Sequence, residues 1–352
     1  MILDYRKTYV ANLIQGTTVN DTIYGGYGND TINAGGGKNI IYATAGNNLV
    51  NMGNGGGTVY GGIGCDTIYG GNGNDLIYAK QGHNYIFGGA GNDTIYGGSG
   101  NDTIFGGSGS NHIYAEKGNN FVYGGTGNDT IYGSCNGHDT IFGGSGNDLI
   151  YGKGSGNLIF TGADNNKVYG SCSGSDTIVA GSGNNLITSY GGGNVLWAGI
   201  GGNDTLNGGC GNDILVGGTL GNNYLYGGAG SDIYVIDFNV KATDPLPPGV
   251  TPPKYVADIG MNYIKDTGGA YDMLLLCGMD ANDVRYQQMG KYDLGITFVG
   301  VGGMVILQNH FQACGRIEEI RFVDSNPYSI PTVDLSVIGA DLAANPDPGL
   351  FG

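Results

Sequence analysis

Proline is absent from the first 244 residues; all nine prolines lie from Pro245 onward. A stretch that long without proline suits an unbroken hydrogen-bonded ladder, because proline removes a backbone donor. Glutamate is nearly absent as well. Of 30 acidic residues only Glu116, Glu318 and Glu319 are glutamate, and the rest are aspartate. A solvated acidic helix would use glutamate freely, so aspartate is wanted here for its short reach, in turns or at a metal. Only 14 residues are basic, and the formal net charge is −16. That balance argues against nucleic acid or an anionic membrane as partner. There is no apolar run of about 18 residues, which excludes a membrane span. The stretch Met1–Gln15 lacks the long apolar core and cleavage site of a secretory signal. The cysteines, Cys65, Cys135, Cys172, Cys210, Cys277 and Cys314, form no CxxC or zinc-ribbon spacing. The histidines, His83, His112, His138 and His310, form no metalloprotease pair and read as polar turn or strand residues.

What the chain has in abundance is glycine, 74 residues of it, most of them in a nine-residue phrase repeated from Gly16 to about Asp237. Examples are Gly25–Asn33 (GGYGNDTIN), Gly61–Tyr69 (GGIGCDTIY), Gly88–Tyr96 (GGAGNDTIY) and Gly124–Tyr132 (GGTGNDTIY). The consensus is G-G-x-G-x-D-x-U-x, with U aliphatic; ten-residue variants begin at Gly133, Gly170, Ala198 and Gly217. A period of nine excludes collagen, which needs glycine at every third position. A fixed aliphatic position excludes disorder.

The first six positions of the phrase make a turn, where glycine supplies positive φ. The last three make a short strand whose side chains alternate. Position eight is apolar throughout, as at Ile23, Ile32, Ile41, Val50, Val59, Ile68, Ile77, Ile86, Ile95 and Ile104. Three residues bury nothing alone, so successive turns must stack. The expected fold is all-β: a right-handed parallel β-roll, a β-solenoid with two nonapeptide repeats per coil, followed by a C-terminal β-rich cap. About twelve coils at roughly 4.8 Å each would make a rod of about 60 Å.

The repeat resembles the calcium-binding β-roll of RTX (repeats-in-toxin) proteins, also described as the hemolysin-type repeat. The resemblance implies Ca²⁺ as cofactor, held between stacked turns by aspartate carboxylates and turn carbonyls, the hard oxygen ligands that this ion takes. Partners on one edge are every second phrase. Adjacent aspartate pairs, Asp75/Asp93, Asp129/Asp148 and Asp213/Asp232, are the leading Ca²⁺ positions. Asp21, Asp30, Asp66, Asp102, Asp139, Asp176 and Asp204 are further candidates. One edge departs from the family pattern. Its sixth positions read Asp30, Asn48, Asp66, Asn84, Asp102, Asn120, Asp139, Asn157, Asp176, Asn194 and Asp213, an alternation of Asp with Asn. Several Asn phrases also carry lysine in the turn, at Lys80, Lys117 and Lys153. The expectation is that much of this edge is closed by Asn hydrogen bonds and Lys–Asp pairs in place of metal.

Position nine is aromatic on many coils, and its side chains should face outward and stack at strand spacing. Tyr69, Tyr78, Tyr96, Tyr114, Tyr123 and Tyr132 are the candidate surface aromatics for assembly. Thr22, Thr67, Thr94, Thr103, Thr130 and Thr140 fill position seven, but Leu, Tyr and His interrupt the row, which argues against a flat ice-binding array.

The boundaries expected are a lead-in strand or arm at 1–15, the roll at 16–237, a Pro-rich linker or insertion at 238–260, a β cap at 261–330 and a tail at 331–352. The cap resembles the C-terminal capping region of RTX proteins, with strand-like runs such as Asp272–Gly278 (DMLLLCG), Met304–Phe311 (MVILQNHF) and Arg316–Asp324 (RIEEIRFVD). Cys277 and Cys314 both fall in it. The tail resembles the uncleaved signal of type I secretion, which implies a secreted or cell-surface protein. With the roll starting at residue 16 and no catalytic constellation in view, no enzyme is expected. The reading is a secreted calcium-binding structural protein of the cell surface or extracellular matrix, of the kind that self-assembles as a filament or surface-layer subunit. The alternatives are a glycan-binding adhesin and a secretion or folding module. The corresponding partners are other copies of the chain or surface glycans.

Overall fold

A computed structural model of the chain describes residues 1–218, 220–238, 258–268, 271–310 and 317–323. The fold is a parallel β-solenoid of about 13 turns. Among the described residues the sole helical element is a 3₁₀ turn at Ala281–Asp283. The chain divides into two compact units, Met1–Ala163 and Asp164–Pro331.

In the first unit alternate strands build two parallel sheets. The position-eight residues align coil on coil. In one sheet the register runs Ile23↔Ile41, Ile41↔Val59, Val59↔Ile77 and Ile77↔Ile95. In the other it runs Ile14↔Ile32, Ile32↔Val50, Val50↔Ile68, Ile68↔Ile86 and Ile86↔Ile104. These residues are fully or almost fully buried. A β-branched residue at each rung fits a pleated surface with little loss of rotamer freedom. Ile2–Asp4 and Leu13–Thr17, expected as a lead-in, lie parallel to Thr22–Gly26 and Thr31–Gly35 and supply one strand to each sheet.

The turns explain the glycine content. At Gly100, φ is +127° and a Cβ would lie 2.0 Å from the Gly82 carbonyl oxygen one coil away. The backbones of stacked turns approach too closely for a side chain at such points.

The second unit continues the same scheme: Val168, Ile187, Leu206 and Leu225 lie on one sheet, and Ile178, Leu196 and Leu215 on the other, all buried. The expected cap does not begin with a new fold. Asp258–Lys265 pairs parallel to Asn223–Ala229, and Met273–Cys277 parallel to Ile233–Asp237, adding a further coil. Gly302–Leu307 and Glu319–Val323 then extend the two sheets, again in parallel. Only Val284–Met289 and Asp293–Phe298 depart, as an antiparallel pair set against Gly302–Leu307. Most of the expected linker (239–257), the expected tail and Cys314 lie outside the described residues; Cys277 is buried.

Candidate calcium-binding turns

Each turn sends two short side chains toward its neighbours. The fifth-position residue accepts from the backbone N–H of the fifth residue one coil on. Asn29 Oδ1 takes Asn47 N–H at 2.8 Å, Asn47 Oδ1 takes Cys65 N–H at 2.8 Å, and His83 Nδ1 takes Asn101 N–H at 2.8 Å. The sixth-position residue accepts from the coil before. Asp30 N–H donates to Asn48 Oδ1 at 2.9 Å, Asn48 to Asp66 at 2.9 Å, Asp66 to Asn84 at 3.0 Å, and Asn84 to Asp102 at 2.8 Å. Aspartate and asparagine have the short reach this row uses within the repeats; glutamate, one methylene longer, enters it only beyond them, at Glu318. The fifth-position ladder was not foreseen from the sequence. Its signal is the N-D or N-N dipeptide that closes most turns.

The second atom of the sixth-position group separates two kinds of turn. In an Asn turn it is an NH₂ that donates to the turn itself. Asn48 Nδ2 donates to Gly46 O at 3.0 Å and to Asp66 Oδ1 at 2.9 Å. Asn84 and Asn120 do the same toward Gly82 O and Gly118 O, both at 3.2 Å, and toward Asp102 and Asp139. In an Asp turn the same place holds Oδ2. A Cβ at Gly106 would lie 2.8 Å from Asn111 Nδ2, and one at Gly88 or Gly124 would lie 2.6 or 2.7 Å from Asp93 or Asp129 Oδ2. Where asparagine offers a donor to the turn carbonyls, aspartate offers another acceptor. The Oδ2 atoms of Asp30, Asp66, Asp102, Asp75, Asp93, Asp129, Asp213 and Asp232 are buried with no hydrogen-bond partner. A buried carboxylate oxygen among carbonyls is costly without a positive group. A hard divalent cation with oxygen ligands fits that donor set.

The electrostatics follow. Burial pushes Asp66, Asp93 and Asp102 up to about 6 from the ordinary 3.8. Burial, aided by the adjacent Asp93 charge, takes Asp75 to about 7. Asp129 also rises to about 7, from burial with the Asp148 charge adding. In the second unit burial takes Asp204 and Asp213 to about 6 and Asp232 to about 7.

The three expected pairs are brought together, with Asp75, Asp129 and Asp213 donating backbone N–H groups to Asp93, Asp148 and Asp232 at 2.8, 2.8 and 2.9 Å. Three other candidates are occupied by protein groups. Asp139 Oδ2 takes Ser134 N–H at 2.6 Å, and Asp176 Oδ2 takes the Ser171 N–H and hydroxyl, both at 2.8 Å. Both belong to ten-residue G-S-C turns. Asp21 accepts from Thr17 through Oδ2, and the Met1 ammonium lies 2.9 Å from its Oδ1.

The lysines do not fill the expected role. Lys80 and Lys153 place their ammonium groups over the rings of Tyr60 and Tyr132, at 5.3 and 4.8 Å from the centroids. Lys117 is exposed. The Asn amides already supply the donors that close these turns, so a lysine head group is left free to snorkel along the aromatic face.

The two aromatic faces differ. On one, Tyr24, Tyr42, Tyr60, Tyr78, Tyr96, Tyr114, Tyr132 and Tyr151 form a ladder with centroids 4.7–5.2 Å apart and planes within 9° of parallel. On the other, Tyr69, Phe87, Phe105, Tyr123 and Phe142 meet at tilts of 43–51°. Tyr85 and Phe121 at position seven close over Phe105, which is buried rather than outward. Trp197, also expected outward, is buried as well.

Stacked parallel coils whose turns alternate self-closing amides with buried carboxylates define a calcium-binding β-roll. The chain belongs to the RTX calcium-binding nonapeptide repeat family, whose model matches residues 15–50, 53–86, 78–113, 105–134, 136–168, 173–202, 201–219 and 218–235. No curated protein matches the chain. The sixth-position row runs past the matched repeats: Asp232 N–H donates to Asp272 Oδ1 at 2.7 Å, and Asp272 N–H to Glu318 Oε2 at 2.7 Å.

Proposed function

We propose that the chain is a secreted, non-catalytic structural protein whose Asp turns take up Ca²⁺ outside the cell, and that copies associate through the tyrosine face. The leading Ca²⁺ ligands are Asp75 with Asp93, Asp129 with Asp148 and Asp213 with Asp232; Asp30, Asp66 and Asp102 join them. Membership of a calcium-binding repeat family typical of secreted proteins supports the first part. Among the described residues no helix is long and apolar enough to cross a membrane. The observation that carries the second part is the stacked ladder from Tyr24 to Tyr151. It is a flat, ordered face of half-buried rings, pre-set for ring-on-ring contact with a like surface. Light scattering and electron microscopy of the calcium-loaded chain should reveal assemblies, and Tyr78→Thr, Tyr96→Thr and Tyr114→Thr together should abolish them. A wild-type chain that stays monomeric at high concentration would refute assembly.

A second reading, a glycan-binding surface, is favoured by one groove. Lys80, Glu116, Lys117 and Lys153 line it together with Tyr114 and Tyr132. Lys80, Glu116 and Lys153 hold φ of 76°, 66° and 60°, in the left-handed region that neighbouring coils assign to glycines such as Gly62 and Gly98. That placement costs roughly 1–2 kcal/mol per residue, so these side chains are retained against a conformational penalty. Lysines about two coils apart, roughly 9.6 Å, beside aromatic faces suit a polysaccharide with regularly spaced acidic groups. Binding of acidic but not neutral polysaccharide by a monomeric chain, lost on Lys80→Ala with Lys117→Ala and Lys153→Ala, would favour this reading over assembly.

A further inference from the structure

At the end of the last matched repeat, three carboxylates converge beside the strand Asp258–Lys265. One oxygen from each of Asp232, Asp266 and Asp272 lies within 4.8 Å of the others. All three residues are buried, at 0%, 3% and 1% exposure. Asp232 is the sixth residue of the final matched phrase, Gly227–Val235. Asp272 holds the corresponding place one coil on, 40 residues later. Asp266 has no counterpart in the nine-residue phrase; it comes from the end of the Asp258–Lys265 strand.

The surroundings are organised around this point. Tyr234 occupies position eight, the inward-facing place where other phrases put an aliphatic residue, and it is fully buried. Its hydroxyl accepts the Gly227 N–H at 2.9 Å and donates to Asp266 Oδ1 at 3.3 Å. A Cβ at Gly227 would fall against both Asp232 Oδ2 and the Tyr234 hydroxyl, so these atoms meet at one spot. Asp232 Oδ2 is buried and has no hydrogen-bond partner. Among the described residues no ammonium or guanidinium pairs with any of the three acids. Burial, then the hydrogen bond and charge of Asp272, drives Asp266 well above the usual carboxylate range. The turn is otherwise tied down: Gly230 N–H donates to Gly268 O at 3.1 Å, Thr267 Oγ1 to Gly228 O at 3.1 Å, and Tyr271 N–H to Ser231 Oγ at 3.1 Å. Backbone and hydroxyl groups therefore hold three acids together that repel one another when ionised.

We propose that Asp232, Asp266 and Asp272 form a further divalent-cation site, of the oxygen-rich kind that takes Ca²⁺, and that its ion locks the coil at 258–277 onto the last repeat. Tyr234 is the positioning residue that aims Asp266 into the site. The ion makes a coil separated in sequence from the repeats part of the same calcium-dependent stack.

The test uses the full chain. Bound calcium is counted by equilibrium dialysis and atomic emission for the wild type and for Asp266→Asn. The variant keeps the size and supplies an amide donor of the kind that closes the Asn turns. Hydrogen exchange is followed over 258–277 in calcium and in chelator. The expected result is one ion fewer in Asp266→Asn, with calcium-dependent protection of 258–277 lost while 60–130 keeps its response. Tyr234→Phe should keep the ion count and weaken the last-filled site several-fold. If Asp66→Asn lowers the count and Asp266→Asn does not, the repeats bind calcium and this site does not. An unchanged calcium response over 258–277 in Asp266→Asn would equally overturn the proposal.

Discussion

Asparagine and aspartate differ at one atom, and in this chain that atom decides what a turn needs. The Nδ2 of Asn84 donates to its own turn and to Asp102; the Oδ2 of Asp66 sits in the same kind of place with nothing to receive. An unsatisfied buried polar group costs about 1–3 kcal/mol, more when charged. Asp66→Asn should therefore raise the melting temperature in chelator, and Asn84→Asp should lower it, each by about that free energy; circular dichroism melts of both variants check the signs. The sixth-position candidates were legible in the sequence because the phrase fixes their place. Which of them the chain satisfies by itself was not: the Ser134 and Ser171 contacts to Asp139 and Asp176 depend on the extra residue of the G-S-C turns. Asp266 was hidden because it lies outside the period, and Asp272 because 40 residues separate it from its stacking partner.

At the scale of the strand, two rows hold neighbouring coils together. Inside, Ile104 is fully buried between Ile86 and Val122. Truncating such a side chain to alanine should cost about 2–5 kcal/mol. Outside, Tyr96 stacks on Tyr78 and Tyr114 with centroids at 4.8 and 4.7 Å. Each aromatic pair is worth about 0.5–1.5 kcal/mol beyond area burial, so Tyr96→Ala should cost about 1–3 kcal/mol. Denaturant unfolding in saturating calcium measures both, and a larger loss at Tyr96 than at Ile104 would contradict this ordering. The three-residue strands and their inward row followed directly from the repeat. The difference between the faces was only half visible: the sequence places aromatics at position nine, while burial of Phe105 requires Tyr85 and Phe121 at position seven on the adjoining coils. The run Asp272–Gly278 read as strand-like but gave no sign of extending the roll, since no G-G-x-G turn precedes Met273, and the start of the strand Asp258–Lys265 fell inside the expected linker.

For the whole molecule the raised carboxylates set a pH dependence. Asp66, Asp93 and Asp102 near 6, and Asp75, Asp129 and Asp232 near 7, all exceed the unfolded value of 3.8. Without a cation the folded state holds protons that the unfolded chain releases. Stability is then greatest below about pH 4 and falls as pH rises through 6 to 7. Calcium offsets the loss by pairing the ionised form. In chelator the chain should melt lower at pH 7.5 than at pH 5, and added calcium should raise the melting temperature more at pH 7.5. A chelator melt that rises from pH 5 to 7.5 would contradict the burial of unpaired carboxylates. At neutral pH, ordering should be half complete at about 10⁻⁴–10⁻³ M calcium, the range of extracellular modules.

Asp turns that require an ion and Asn turns that supply their own donor make the calcium count depend on the sixth-position residue. Native mass spectrometry at saturating calcium, comparing wild type with Asp66→Asn/Asp102→Asn and with Asn84→Asp/Asn120→Asp, tests it directly. The ion count should fall in the first variant and rise in the second, and an identical count in all three chains would contradict it.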